Sequence, residues 1–384
     1  MRKAALAVLV VLSPLGATGA ARADDTIATV ARPAPVSAYA GRVAWSAHDP
    51  ARGYVLMTRF AGVTSEVPVA PRSVPFDVDL GPGGSGVVAA YSRCRHDPPA
   101  REPGTGNALT QLPRWAAGRG CDIYRFDFGS GRERKLRSVS SPRASEFLPS
   151  IWQDRIAFAR TYERRRGRAG QRPYLYLARI GPSGHTRRLP AGSRSTQKFC
   201  TGKPLRCVRR VENGPTALDL SGRGLAFGWD SGGQGDPTTA LYLDTTRAGK
   251  TRRKRLDFGS SGDIQGEEVV SPTIDSGHVW WGFIQFGDVT ANWLRRYSIS
   301  SGEREQAQIP PPTARDAFLH PVLWTAVSAG DVFYLLSGLT IPGEPCTVQL
   351  PCNGDPGCSA AGPCPIRDTR DLTFLPLGKA VSRR

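Results

Sequence analysis

Beyond its first dozen residues the sequence has no apolar run long enough to cross a bilayer. Every later apolar stretch is of strand length and is bounded by Gly, Pro or charge, well short of the ~20 residues a spanning helix needs. No segment keeps a helical period, no GxSxG nucleophile elbow occurs, and no CxxC pair of the kind that builds zinc knuckles is present. The five histidines, His48, His96, His185, His278 and His320, share no i,i+4 or triad spacing. Lysine is scarce, seven of the 51 basic residues, so 44 are arginine. These absences argue against a helical membrane protein and an α/β-hydrolase. They leave no residues to nominate as catalytic or metal-binding, and no cofactor is expected.

What is present begins with an export signal. Arg2 and Lys3 precede the apolar run Ala4–Leu12, which breaks at Ser13-Pro14, and Ala21-Arg22-Ala23 offers small residues at a cleavage site. Residues 1–23 therefore read as a secretory signal peptide, and residues 24–384 as one domain ending in a short basic tail. No cysteine lies near the cleavage point, which argues against a lipid anchor. The expected location is secreted or periplasmic, with no transmembrane segment in the mature chain. Cleavage removes Arg2, Lys3 and Arg22, lowering the formal charge from +18 to +15. The arginine excess beside abundant Ala, Gly and Pro fits a GC-rich coding bias, yet a charge of this size attracts polyanions whatever its origin.

Eight cysteines, Cys94, Cys121, Cys200, Cys207, Cys346, Cys352, Cys358 and Cys364, read as disulfides in an exported chain. Cys94 and Cys121 bracket a long loop at the base of a hairpin, where neighbouring strands bring Cα atoms within bridging range. Cys200 and Cys207 close a short loop. The last four are expected to pair among themselves, nested or in sequence. Their regular five-residue spacings are too wide for zinc knuckles.

Internal repetition carries the fold. A short β-branched and aromatic core recurs as GRVAWS (41–46), GVVAAYS (86–92), RIAFAR (155–160), GLAFGW (224–229), HVWWGF (278–283) and DVFYLL (331–336). Such runs, bounded by turn formers, read as buried strands. Most are followed by an alternating strand: YVLMTRF (54–60), CDIYRFDF (121–128), YLYLARI (174–180), ALYLDTT (240–246) and WLRRYSI (293–299). A Gly turn and a basic edge segment come next, as in GRERKL and GKTRRKRL. Units start near Pro35, Val74, Leu148, Gly214, Ser271 and His320. The pattern predicts an all-β chain: a single β-propeller of about six four-stranded blades, with long loop insertions and disulfides. The segment Thr26 to Pro33 is expected to complete the last blade and hide the sheet edge at the closure.

Two segments, Ala217 to Leu243 (ALDLSGRGLAFGWDSGGQGDPTTALYL) and Pro149 to Leu189 (PSIWQDRIAFAR…YLYLARI…RRL), resemble the TolB-type propeller repeat, itself similar in form to WD repeats. Leu225-Ala226-Phe227 and Leu241-Tyr242-Leu243 fall on its two strand positions. The resemblance implies a propeller and an extracytoplasmic binding role, and it transfers no site residue. Tol-system members carry an α/β domain before the propeller, whereas strand pattern here begins almost at the cleavage site. Propellers of the prolyl-oligopeptidase kind gate a hydrolase that has no counterpart here.

Three local signals touch on chemistry. Thr273 to Trp280 resembles the Asp-box turn of sialidase-type propellers, but it occurs once, and Asp-Ser-Gly is also an ordinary hairpin turn. The loop Asp230 to Asp236 has oxygen ligands but not the spacing of an EF-hand. Two basic clusters stand out: Arg164, Arg165, Arg166 and Arg168 in an insertion, and Arg252, Arg253, Lys254 and Arg255 on an outer strand, where charge also deters edge pairing. Both are candidate polyanion contacts. Neither has the aromatic interleaving of a single-stranded nucleic-acid groove, so nucleic acid is not an expected partner. The reading is a monomeric, non-enzymatic exported propeller that binds an anionic envelope polymer or an exported protein. The alternative is a carbohydrate-active hydrolase or lyase on the same fold.

Overall fold

A computed structural model describes residues 25–30, 34–84, 86–97, 118–162, 174–181, 184–189, 198–201, 206–209, 212–231, 238–247, 250–260, 266–286, 291–309, 322–329, 331–336, 364–369, 372 and 374–377. The described residues form strands and turns, and none forms a helix long and apolar enough to cross a membrane.

The strands assemble into antiparallel up-and-down sheets arranged around an axis. The first blade contains Val36–Tyr39, Arg42–Asp49, Gly53–Phe60 and Val63–Glu66. The second contains Asp79–Gly83, Gly86–His96, Arg119–Asp127 and Arg132–Lys135. Ala144–Trp152, Arg155–Tyr162, Tyr174–Arg179 and Thr186–Arg188 make the third. Glu212–Ser221, Gly224–Ser231, Thr238–Arg247 and Lys250–Ser260 make the fourth. A closing blade combines Val322–Ser328, Asp331–Leu336 and Cys364–Thr369 with the N-terminal strand Asp25–Val30.

The expectation of about six four-stranded blades needs correction, because five sheets have four strands. The sheet built on Gly266–Asp275, His278–Phe286, Ala291–Ser298 and Arg304–Gln308 takes a fifth strand, Leu375–Pro376. That strand is held by its neighbour Phe374, whose ring meets Trp280 edge-on at 5.5 Å while the Arg296 guanidinium lies 4.0 Å from its centroid. A further two-stranded sheet, Lys198–Thr201 with Arg206–Arg209, stands apart from the blades and was not anticipated.

Closure follows the expected route. Asp25–Val30 pairs with Cys364–Thr369, so the outermost strand of the closing blade comes from the start of the described chain. The third strand of that blade lies beyond the cysteine-rich segment. The strands Val36–Tyr39, Asp79–Gly83, Ala144–Trp152, Glu212–Ser221, Gly266–Asp275 and Val322–Ser328 lie innermost, and each touches the next in a closed circle. Apolar clusters fill the spaces between neighbouring sheets. Phe147 and Leu175 of the third blade meet Phe227, Trp229 and Tyr242 of the fourth, and Leu56 and Phe76 meet Tyr91 and Phe126. The blades thus bury one another's faces, which ties all of them into one cooperative body.

Two of the hairpins between first and second strands share one device. Ala40 and Gly41 (φ 49° and 74°) and Ser276 and Gly277 (φ 48° and 78°) both have two positive φ values, the type I′ geometry whose twist matches that of paired strands. The Asp-box resemblance therefore resolves as a hairpin turn between a first and a second strand.

Candidate functional site

The axis is encircled by side chains that reach from one innermost strand to the backbone of the next. Ser37 Oγ accepts the Leu80 N–H at 2.8 Å and donates to Asp79 Oδ1 at 3.3 Å. Asp79 Oδ2 accepts the Ile151 N–H at 2.9 Å, and Ser150 Oγ accepts the Leu220 N–H at 2.7 Å. Asp219 Oδ2 then accepts the Ile274 N–H. Ser271 Oγ accepts the Thr325 N–H at 2.6 Å, and Ser328 Oγ accepts the Gly41 N–H at 3.0 Å, returning to the first blade. Inner strands splay apart from their neighbours and cannot ladder with them, so buried N–H groups there need side-chain acceptors.

Burial makes two of these acceptors poor acids. Asp79 is pushed up to about 7 by loss of hydration, against the opposing pull of the Ile151 amide and of Ser150 and Ser37. Asp219 is raised well above the usual carboxylate range, first by burial and then by the charges of Asp79 and Asp275. Asp275 also raises the Tyr39 hydroxyl, after burial. The Tyr39 ring meets the Trp152 ring edge-on at 5.9 Å across the second blade. Three carboxyl groups and two aromatic rings therefore share the end of the axis where first strands turn into second strands. No group of three His, Cys, Asp or Glu suited to a metal ion is found among the described residues.

A second buried carboxylate system lies off the axis. Asp77 accepts from Ser92 N (2.8 Å), Ser92 Oγ (2.7 Å) and Leu148 N (2.7 Å), and faces Arg72 at 3.4 Å. Arg72 also donates to the Ser92 carbonyl at 2.8 Å and to Asp97 at 2.9 Å.

Of the basic clusters, Arg164, Arg165, Arg166 and Arg168 lie outside the described residues, as do Cys346, Cys352 and Cys358. The second cluster lies on the outermost strand of the fourth blade and divides by role. Arg253 grips Asp244 with two bonds of 2.7 Å and stacks over Phe227 at 4.8 Å. Lys254 donates to the Tyr297 hydroxyl of the neighbouring sheet at 2.9 Å. Arg255 rests over Phe258 at 5.5 Å, and Arg252 is exposed. Cys94 and Cys121 are cross-strand partners joined by a disulfide, one bridge among the described residues. Cys200 and Cys207 are register partners in their hairpin, and Cys364 opens its strand.

Asp79, Asp219, Ser37 and Ser150 were not singled out by the sequence reading. Their signal is a small polar residue within each first strand (VSAY, DLGPG, LPSIW, ALDLS).

No protein-family model and no curated protein matches the sequence. Among solved structures the chain is similar to TolB from Acinetobacter baumannii (12% identity, TM-score 0.42), covering 78% of this chain and 61% of that one. It thus spans less than two thirds of that relative's length. It is similar to the β-propeller domain of the Trilobed protease from Pyrococcus furiosus (10% identity, 84% of each chain, TM-score 0.39). It is also similar to the GH93 α-L-arabinofuranosidase of Fusarium graminearum, at 8% identity over 89% of this chain and 97% of that one, TM-score 0.44. The propeller assignment rests on the closed circle of sheets and not on these likenesses.

Proposed function

We propose that the chain is an exported propeller, residues 24–384 after loss of a signal peptide at 1–23, that binds an anionic envelope polymer or an exported protein as a monomer without transforming it. One observation carries this reading. Asp79 and Asp219 each spend a carboxylate oxygen on an amide of the neighbouring inner strand, so the axial acids serve to hold the blades together. Recognition is then left to the outer surface, where exposed arginines outnumber acids. The Cys94–Cys121 bridge suits an oxidising compartment. In this reading Arg164, Arg165, Arg166 and Arg168 meet a flexible polyanion together with the exposed Arg252 and Arg255, while Arg253 and Lys254 are engaged by Asp244 and Tyr297.

The test is co-sedimentation with cell-wall material across a salt series, because exposed charges are screened over ~8 Å at physiological ionic strength. Wild type should bind at low salt and release as salt rises. Absence of binding at low salt would remove the basic surface from recognition.

A carbohydrate-active hydrolase or lyase is the second reading. The grouping of Asp79, Asp219 and Asp275 at one end of the axis with Tyr39 and Trp152 favours it, since glycosidases work with paired carboxyls. Release of reducing sugar from envelope polysaccharide by wild type, abolished in Asp275→Asn, would establish it over the first.

A further inference from the structure

At the end of the molecule where the hairpin turns lie, the third and fourth blades set like charges against each other. Arg155 and Arg179 are direct cross-strand partners, and so are Arg247 and Lys250. Like charges directly opposite oppose strand pairing, and both pairs occur at the same end of adjacent blades. Arg223, in the turn after the fourth blade's first strand, joins them: its carbonyl accepts the Thr246 N–H at 3.0 Å. Arg187 reaches across from the third blade and donates to Thr251 Oγ1 at 3.1 Å, so the two blade edges form one surface.

Arg179, Arg187, Arg223, Arg247 and Lys250 are exposed and Arg155 is half-buried. None has a carboxylate within ion-pair distance among the described residues. Burial holds the Arg155 guanidinium below its ordinary value; the Asp154 carboxylate opposes this, and the charges of Arg179 and Arg223 reinforce it. Some arginines elsewhere do have acid partners: Arg52 with Glu66 at 2.9 Å, Arg93 with Glu133 at 2.7 Å, Arg160 with Glu146 at 2.8 Å and Arg295 with Asp257 at 2.9 Å. Coding bias accounts for many arginines, but it does not by itself set two opposed like-charge pairs at the same end of adjacent blades.

We infer that this surface, at the junction of the third and fourth blades, is a docking site for a phosphate-bearing linear polymer of the cell envelope. The inference rests on the polyanion reading above and names its site and ligand class. Five of the six cations are guanidinium groups, whose planar forks match phosphate oxygens two at a time. Their spread over two blades suits a chain of charges better than a single ion. A bound polyanion would also relieve the repulsion between the opposed pairs.

The test uses the full mature chain and long-chain inorganic polyphosphate as probe, with polygalacturonate as the carboxylate counterpart. The triple variant Arg179→Ser, Arg223→Ser, Arg247→Ser should lose at least about tenfold in polyphosphate affinity and show a shallower salt dependence, since each lost phosphate contact removes counterion release. It should melt no lower than wild type, because it removes repulsion rather than packing. A charge-matched variant with Arg134, Arg137 and Arg143 changed to Ser, all exposed beside the second blade's outer edge, should bind within about twofold of wild type. Wild type binding neither polymer would overturn the polyanion reading itself. If wild type binds and the two variants weaken equally or not at all, this surface is overturned while that reading stands. Equal wild-type affinity for both polymers would overturn the phosphate preference.

Discussion

Asp79 of the second blade accepts the backbone N–H of Ile151 of the third at 2.9 Å, a bond between inner strands that share no ladder. Its carboxyl is raised to about 7, chiefly by burial. A carboxyl whose pKa is higher in the folded state binds protons more tightly there, so its contribution is full below the unfolded value near 4 and is lost as pH rises through 7. Chemical denaturation should therefore show stability falling between about pH 4 and pH 7, by on the order of 4 kcal/mol at most for a shift of this size. Asp79→Asn, which keeps an acceptor and a donor without charge, should make that slope shallower, the remainder belonging to Asp219 and Glu146, which burial also raises, and should match or exceed wild-type stability at pH 7. An unchanged slope in the variant would assign the pH dependence to other groups.

Gly81 marks how closely those strands approach. A Cβ there would lie 2.0 Å from the Ile151 carbonyl oxygen, and that atom belongs to backbone, so it cannot swing aside. Gly81→Ala should cost about 1–3 kcal/mol or more, as overpacking does. Gly84→Ala, where nothing lies within 4 Å, should be near neutral. Thermal melts of the two variants make the comparison, and equal melting temperatures would refute the close approach.

Arg253 and Arg252 are neighbours with opposite prospects. Arg253 neutralises Asp244, whose side chain is 4% exposed, so Arg253→Ala strands a buried charge and should cost about 3–5 kcal/mol. Arg252→Ala removes an exposed side chain and should change stability by less than about 0.5 kcal/mol. Urea denaturation of both variants checks the difference. A mild Arg253→Ala would mean that this strand is a freely presented basic edge.

The strands themselves were legible because each second strand is a compact apolar word, such as RIAFAR or GLAFGW, that only a doubly buried strand explains. The bridge residues lay in plain view within the first strands, but the role of Asp79 depends on a strand some seventy residues away, and no local pattern encodes that approach. Cys364–Thr369 carries little strand signal, since its Pro and Asp have low strand propensity. The fifth strand, Leu375–Pro376, is too short to leave a periodic signal. The opposed pairs Arg155–Arg179 and Arg247–Lys250 escaped notice because each residue is unremarkable in an arginine-rich sequence. Only cross-strand register shows that they face one another.

The disulfide can be tested for both identity and worth. Cys94 and Cys121 face each other across the second and third strands of the second blade, 27 residues apart in sequence. Closing a loop of that size restricts the unfolded chain by about 3–4 kcal/mol in the chain-entropy picture. Cys94→Ala with Cys121→Ala should lower stability by about that amount, less whatever the buried Arg72 bonds to Asp97 and the Ser92 carbonyl retain at the loop's base. Reductant should lower the melting temperature of wild type by more than that of the double variant, which leaves only the other cysteines to respond. Non-reducing peptide mapping should recover Cys94 linked to Cys121. A different partner for Cys94 would break the register of the second blade, and with it the placement of Asp77 and Asp79 against the third.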